Sequence, residues 1–394
     1  MPDVYDLVIL GGGCAGLSLS MALEAHGGRS PRTLVIESRT AYENDRTWCY
    51  WSDRSTPAPC QVQHSWQTMR VTQGGHSVSL DCGSTPYQML AAEHFYAAAL
   101  ASIERQPNIT LRLGTTVMGE PSHGEGGWSI GTSAGNVTAR AVVDTRPPPS
   151  AGMAAGGATL WQSFYGLEIE CKAAVFAPLL LDLMNFLPPD PRHVPFVYVL
   201  PVTPTRALIE LTVFGATPLG PDALRAELEA AVAKRVGDAA YAIVRSEHGI
   251  LPMGLNQTAQ LPHASYARVG VMAGSARPST GYAFQRIQRW ARACAFSLAH
   301  HGQPTPHQPD PLPLRVMDRI FLEVLRADPA RGAGLFFSLF SHADPARVIR
   351  FLSGGSGVVD SLAVVAAMPF APFLQAAYAL MWRAGRIGTG ERAA

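Results

Sequence analysis

Tyr5 to Leu10 form a short apolar run that leads into GGGCAG and then into LSLSMALEAHG. That order predicts a buried strand, a glycine turn and a helix stopped by Gly27 and Gly28. Thr33–Glu37, TLVIE, supplies the second strand of a βαβ unit. Val71–Asp81, VTQGGHSVSLD, alternates as a half-buried strand does. Tyr87–Glu104, YQMLAAEHFYAAALASIE, reads as one long helix, and Ile109–Gly119, Trp128–Ile130 and Val137–Asp144 read as strands. Two strand-rich runs, LWQSFYGLEIE and PFVYVLPVTPTRALIELTVF, dominate Thr159–Phe214, and Pro221–Val236 returns to helix. VGVMAGSARPSTGYAF, from Val269, reads as a strand end and a turn before a helix to about His301; from Met317 onward the pattern is helical.

Strands alternating with helices at the start, a β-rich middle and a helical end predict an α/β chain of more than one structural unit. At 394 residues it is long enough to bury a large core in each. Composition adds one feature. Only 15% of residues are charged while 47% are hydrophobic, against about a quarter charged in ordinary soluble domains. A large apolar cavity, membrane contact or both would use that surplus. The net charge of +1 gives no footprint for nucleic acid or another polyanion. The six cysteines show no CxxC pair and no spacing with histidine that suits a metal, so neither a zinc site nor a disulfide framework is expected. MPDVYDLVIL lacks the basic start of a signal peptide, which points to the inside of a cell. Ala363–Trp382, AVVAAMPFAPFLQAAYALMW, is uncharged over about the length of a spanning helix but is broken by Pro369 and Pro372. A buried helical pair and a segment dipping into one membrane face both fit it; a straight span fits worst.

Gly11-Gly12-Gly13-Cys14-Ala15-Gly16 is G-x-G-x-x-G between a predicted strand and helix. Gly11 permits the tight turn, Gly13 and Ala15 lie where a pyrophosphate approaches, and Gly16 lets helix and strand pack closely. Glu37 ends the next strand, where a carboxylate accepts ribose hydroxyls. These residues predict dinucleotide binding. The run from Gly274 through Thr280, Gly281 and Tyr282 resembles the GD…P…G turn that lays a helix start against the flavin in FAD hydroxylase-like proteins, with Ser275 where the acid usually stands. That layout favours FAD over a nicotinamide cofactor.

Further segments carry a more specific resemblance. Asp45–Trp51 (DRTWCYW), Asp144–Pro147 (DTRP) and Gln162–Gly166 (QSFYG) are similar to motifs of bacterial lycopene β-cyclases. So are Phe196–Pro201 with Ala207–Thr212 (FVYVLP…ALIELT), Glu247–Met253 (EHGILPM) and Pro278–Tyr282 (PSTGY). Arg319–Leu322 and Arg350–Ser353 fit near the end. The matches run in order over nearly the whole chain, so it resembles a member of the lycopene β-cyclase family.

The resemblance implies a Rossmann-type, FAD hydroxylase-like parallel-sheet domain with an inserted antiparallel β-sheet substrate domain and a helical C-terminal region. The expected limits are 1–160 for the first part of the FAD domain, with an excursion at about 50–85. The substrate domain spans 161–260, the rest of the FAD domain 261–304 and the helical region 305–394. It implies a non-redox cyclase that needs reduced FAD, protonates the end of a linear polyene, lets the cation close a ring and removes a proton. A peripheral place on the inner face of the cell membrane goes with such a substrate. Glu210, in the apolar run ALIELTVF, is the candidate acid, since burial there favours the protonated form. Arg46 is expected on the adenosine side of FAD, and Trp48, Tyr50 and Tyr198 as substrate lining. In an extended strand Trp48 and Tyr50 share one face and Thr47, Cys49 and Trp51 the other, so Trp48, Tyr50 and Trp51 do not all line the site. Two positions depart from the family pattern: Leu211 follows Glu210 where an acid is usual, and Asn185 closes Leu183-Met184-Asn185 in place of an aspartate. They leave open a cyclase of a non-carotenoid prenyl chain, with Asp182 or the flavin sharing the acid–base work. A flavin monooxygenase is the reading from another class, and a polyene-binding flavoprotein without catalysis is a third.

Overall fold

The computed structural model describes residues 4–147, 158–255 and 263–390. The expected boundary near 260 falls outside these. Val4–Leu10 sits in a sheet between Thr33–Ile36 and Val137–Asp144, parallel to both, with Ile109–Arg112 added at one edge. Leu7 to Leu10 are wholly buried, as the strands of a parallel sheet covered on both faces must be. Beyond Val137–Asp144 the sheet continues antiparallel through Gly127–Ile130 to Ser122–Gly124, and the short strand Tyr266–Arg268 returns parallel beside Val142–Asp144. Helices Cys14–Glu24, Ala92–Glu104 and Phe284–His301 pack over one face through Leu17, Phe95, Ile287 and Trp290. The chain thus leaves this layer after Val137–Asp144 and returns to it at Tyr266.

A second sheet runs Tyr241–Met253, Leu160–Cys171, Arg206–Gly215, His193–Pro201, Leu180–Phe186, Thr68–Gln73, His76–Asp81. Its pairs are antiparallel except Leu180–Phe186 with Thr68–Gln73. Along Arg206–Gly215 the side chains obey the two-residue period of a strand. Ala207, Ile209, Leu211 and Val213 face the core under helix Pro221–Val236. Leu208, Glu210, Thr212 and Phe214 face the other way, into a cavity. A small third sheet, Thr47–Trp51, Tyr87–Ala91 and His64–Trp66, lies between the two. Helices Leu312–Ala327, Gly332–His342, Pro345–Ser353, Val358–Ala366 and Phe370–Gly390 complete the fold and share one apolar core with the second sheet.

Four expected elements take other forms. Val71–Asp81 belongs to a hairpin, because Gly74 and Gly75, at φ +55° and +84°, turn the chain back. Tyr87–Ala91 is a strand and the helix starts only at Ala92; pairing on both edges with Thr47–Trp51 and His64–Trp66 overrides its helical propensity. Ile109–Gly119 is extended only to Arg112, and the turn after Val269 includes a short 3₁₀ helix, Val271–Ala273.

Candidate active site

Gly11 leaves the first strand at φ +95°, a conformation a side chain disfavours. The Thr145 hydroxyl donates to the carbonyls of Leu10 and Gly11 at 2.9 and 3.0 Å and fixes the turn. A Cβ on Gly16 would lie 2.0 Å from the Gly11 carbonyl oxygen, so helix and turn pack closely only with glycine there. A Cβ on Gly13 would meet nothing within 4 Å: the backbone faces open space. Gly13 also caps helix Cys14–Glu24 with no side-chain bond, so the first N–H groups of the helix are free to take an anion. Glu37 accepts from the Gly12 N–H at 2.7 Å and from the Arg39 backbone and guanidinium. Burial pushes its carboxyl up, but the hydrogen bonds and charge of Arg39 win and hold it below the usual range. Gly11, Gly13, Ala15, Glu37 and Arg46 all line one cavity of about 1050 Å³; Gly16 supports it from behind.

The second glycine turn borders the same cavity through Thr280, Gly281 and Tyr282. Gly274 does not. It stands at φ +87° and ends the turn Val271–Ala273. Ser275, where an acid was expected, takes the Gly270 N–H at 2.9 Å and so holds the turn. Arg277 is fully buried against Asp318 at 3.2 Å, over the Phe351 ring, and it donates to the Phe351 carbonyl. That pair ties the turn to the C-terminal helices. Gly281, at φ +73°, has room for no Cβ: one would lie 2.6 Å from Gln162 Oε1.

Across the second sheet, Tyr198, Glu210, Gly166 and Glu247 stand in one register row on four neighbouring strands. Gly166 separates the two glutamates, and a Cβ there would lie 3.4 Å from Glu210 Cβ and 3.3 Å from Glu247 Cγ. Both carboxyls are buried, 9% and 4% exposed, at the cavity wall. Their partners differ. Among the described residues, Glu210 receives the Thr212 hydroxyl alone, at 2.7 Å. Glu247 receives the Thr47 hydroxyl at 2.7 Å and the Arg245 guanidinium, which also bridges to Glu168. Burial and then the charge of Glu247 push the Glu210 carboxyl up to about 8. Burial raises Glu247 as well, but Arg245 and Thr47 pull it back. Of the pair, Glu210 is therefore the one pushed further toward the protonated form.

Gly166→Ala should reveal how much depends on this spacing. The methyl wedges between the carboxyls and Leu208, 3.2 Å away, while alanine is favoured over a strand glycine by about 0.5–1 kcal/mol. The expected result is turnover reduced several-fold with an unchanged or raised melting temperature, read by product chromatography and calorimetry.

The segment Thr47–Trp51 divides its aromatics as an extended strand must. Trp48 and Tyr50 pack toward the nucleotide-binding layer, while Cys49 and Trp51 face the other core. Trp48 lines the cavity; Tyr50, 3% exposed and stacked on Phe284 at 4.8 Å, does not, and is core. Trp51 packs edge-on against Tyr87 and Tyr282. Tyr198 lines the cavity, with its buried hydroxyl beside Cys49 and Tyr87. Asp182 is held by Arg70 and Arg235 at 2.5 and 2.6 Å and does not border the cavity. It is tied up structurally; the carboxyl that stands beside Glu210 is that of Glu247. Leu211 faces the opposite core and Asn185 is absent from the cavity wall, so neither departure from the family pattern touches this site. The motif EHGILPM includes Glu247 without assigning it a role, and its strand, which also carries Arg245, Ser246 and His248, does not mark it; the one local sign is a glycine inside the neighbouring strand Leu160–Cys171.

Among the described residues no helix alone is long and apolar enough to cross a membrane; Pro345–Ser353 with Val358–Ala366 pass that test only as a pair bent by 116°.

Comparison with known proteins bears on the whole chain. The p-nitrophenol 4-monooxygenase PnpA of Pseudomonas putida DLL-E4 superposes with a TM-score of 0.57 at 15% identity, over 95% of this chain and 99% of that one. A geranylgeranyl bacteriochlorophyll reductase-like protein of Thermoplasma acidophilum gives 0.59 at 13%, over 95% and 98%. These share the fold. Lycopene beta-cyclase of Pantoea ananas is 27% identical over 97% of this chain and 99% of its own length. That of Paracoccus sp. (strain N81106 / MBIC 01143) is 27% identical over 93% and 95%. A family model described as lycopene cyclase protein matches residues 6–378. With the glycine turn, the paired glutamates and the motifs in order, the chain belongs to the lycopene cyclase family.

Proposed function

We propose that this protein is an enzyme of intramolecular cyclisation that closes a ring at the end of a linear polyene, with FAD bound and no net redox change. One observation carries the reading: two buried glutamates in one register row, Glu210 bonded to the Thr212 hydroxyl and Glu247 to Arg245, at the wall of a cavity that also reaches the glycine turn. The residues at that turn fit FAD. Gly13 leaves space before the free helix N-terminus, Gly11 and Gly16 shape the turn, and Glu37 and Arg46 border the same space at the adenosine side. Several solved relatives in fold are flavoproteins by name, among them PieE, a flavin-dependent monooxygenase in complex with FAD and substrate, at 12% identity and a TM-score of 0.59 over 92% of this chain and 72% of that one. When bound in its reduced form, FAD supplies an electron-rich ring system beside the reacting end.

The chain's own groups divide the work. Glu210 gives its proton to the terminal C=C, forming one C–H bond and leaving a tertiary cation. The next double bond attacks that cation and closes the ring. A carboxylate, Glu247 or the newly ionised Glu210, removes a ring proton and restores a C=C, so product and substrate are isomers. Trp48, Tyr87, Tyr198 and Tyr282 line the cavity, and aromatic rings favour a cation without trapping it as a nucleophile would. Burial of the hydroxyls of Tyr87, Tyr198 and Tyr282 pushes their pKa values up and keeps them neutral. Because Leu211 and Asn185 lie off the cavity, they give no reason to turn from lycopene to a different prenyl chain. Contact with a membrane's inner face belongs to the same proposal, supported by exposed Phe370, Leu374, Tyr378, Met381 and Trp382 on the last helix.

The test is anaerobic incubation of the purified protein with reduced FAD and lycopene in lipid vesicles. The expected product is cyclic and of unchanged mass. A product heavier by oxygen, formed with NADPH in air, would favour the monooxygenase; intact lycopene with flavin demonstrably bound and reduced would overturn the reading.

A further inference from the structure

Besides Glu210, the wall of the large cavity includes Phe336, Leu339 and Leu352. The same three side chains, with Ser279 and Thr280, wall a second cavity of about 230 Å³. It runs between helix Leu312–Ala327, contributing Ile320 and Phe321, and helices Val358–Ala366 and Phe370–Gly390, contributing Val364, Phe373 and Ala377. Apart from Gly-turn hydroxyls and the Asp318 carboxyl already paired with Arg277, its walls are apolar. Its outer end is made by Val365, Phe370 and Leu374, which are 38%, 63% and 53% exposed. The two cavities therefore share a wall, and the second reaches the surface.

The inner cavity has a double load. At about 1050 Å³ it matches the upper size of a pocket for one drug-sized ligand, and on the reading above it holds FAD and the reacting end of a polyene. A long chain cannot also coil up inside it. Resting on that reading, we propose that the second cavity is the outer part of the substrate site: the unreacted arm of the polyene passes between Phe336, Leu339 and Leu352. It leaves the protein between helices Val358–Ala366 and Phe370–Gly390. The ligand class is a long, unbranched-backbone hydrocarbon whose far arm stays among apolar side chains all the way to the surface. An arm emerging beside Leu362, Tyr378 and Trp382, all exposed, passes one carboxyl on the way, that of Asp318, which Arg277 already pairs.

Ala377→Trp fills this passage at a distance from the carboxyl pair. A blocked arm loses the burial of several chain carbons, each worth a few-fold in affinity, so KM for lycopene should rise by more than about tenfold. With kcat extrapolated to saturation, flavin content and melting temperature near wild type, the change would mark lost binding and not lost structure. Gln375→Trp, exposed on the same helix and outside the cavity, is the control and should leave KM unchanged. Val365→Phe, at the mouth, is the second variant should Ala377→Trp not fold, and it should raise KM in the same direction. Unchanged KM in the folded passage variants, with wild type active, would overturn the passage alone. Absence of cyclisation by wild type would instead overturn the functional reading on which it rests.

Discussion

Glu210→Gln should abolish ring closure while leaving FAD and polyene bound. Glutamine keeps the shape and can still bond to the Thr212 hydroxyl, but it has no proton of suitable acidity to give. A positioned general acid is worth about 10²–10⁴-fold in rate, so kcat should fall by that factor with KM nearly unchanged. The assay is product chromatography under anaerobic conditions with the flavin reduced. Wild-type turnover by this variant would remove Glu210 from the mechanism and leave the buried carboxyl without a role. Glu210→Asp tests the geometry instead: the acid remains but withdraws from the row Tyr198–Glu210–Gly166–Glu247, and part of the activity should remain.

Glu247→Gln should shift the pH dependence as well as lower the rate. The active form of Glu210 is the protonated one, so turnover is present below its pKa of about 8 and is lost as pH rises through it. After burial, the charge of Glu247 is what raises that pKa. Removing it also leaves Arg245 uncompensated on that side, which favours the ionised form of Glu210. The alkaline limb must then move to lower pH. The other groups facing the pair are Cys49 and Tyr198, held neutral by burial, with Glu168 and Arg206 behind Arg245. An unmoved limb, with activity reduced, would mean that Glu247 only supports the wall; a limb moved upward would contradict the sign of the coupling.

The nucleotide turn could be read from sequence because all its requirements are local. Gly11, Gly13 and Gly16 are needed within a single turn, and Glu37 follows one helix and one strand later. Glu210 was legible for a similar reason: its apolar neighbours Ile209 and Leu211 announce a buried strand. The alternation then buries a carboxylate wherever that strand is covered on both faces, here by helix Pro221–Val236 on one side and by the cavity on the other. Glu247 was not legible as its partner. The two acids meet only because Arg206–Gly215 and Tyr241–Met253 both pair with Leu160–Cys171, in a register that sets Gly166 between them. Nothing local in EHGILPM states that register. Asp182 failed as a candidate for the complementary reason. It has the right chemistry, but Arg70 arrives from the excursion hairpin and Arg235 from the helix, both distant in sequence, and they claim it.

The helical misreading of Tyr87–Ala91 has the same origin. YQMLA carries no period of its own, and only the two flanking strands make it extended. The aromatic segment Thr47–Trp51 was half legible. Its two-residue alternation separated Trp48 and Tyr50 from Cys49 and Trp51, but which aromatic of the first pair reached the cavity depended on Phe284, which stacks on Tyr50 and seals it in the core. Leu211 shows how a family position can mislead when it is weighed without its direction. An absent acid matters to the chemistry only if its side chain would have faced the polyene, and this one faces the core beneath helix Pro221–Val236.

The central claim is that a proton from the protein, not an electron or oxygen, starts ring closure. Its most direct test is turnover of lycopene by the flavin-reduced enzyme equilibrated in D₂O, with the product weighed by mass spectrometry. Proton delivery from an exchanged carboxylic acid predicts a cyclic product that gains one solvent deuteron for each ring closed and carries no oxygen. A ring closed without deuterium, or an oxygenated or reduced product, would contradict the account.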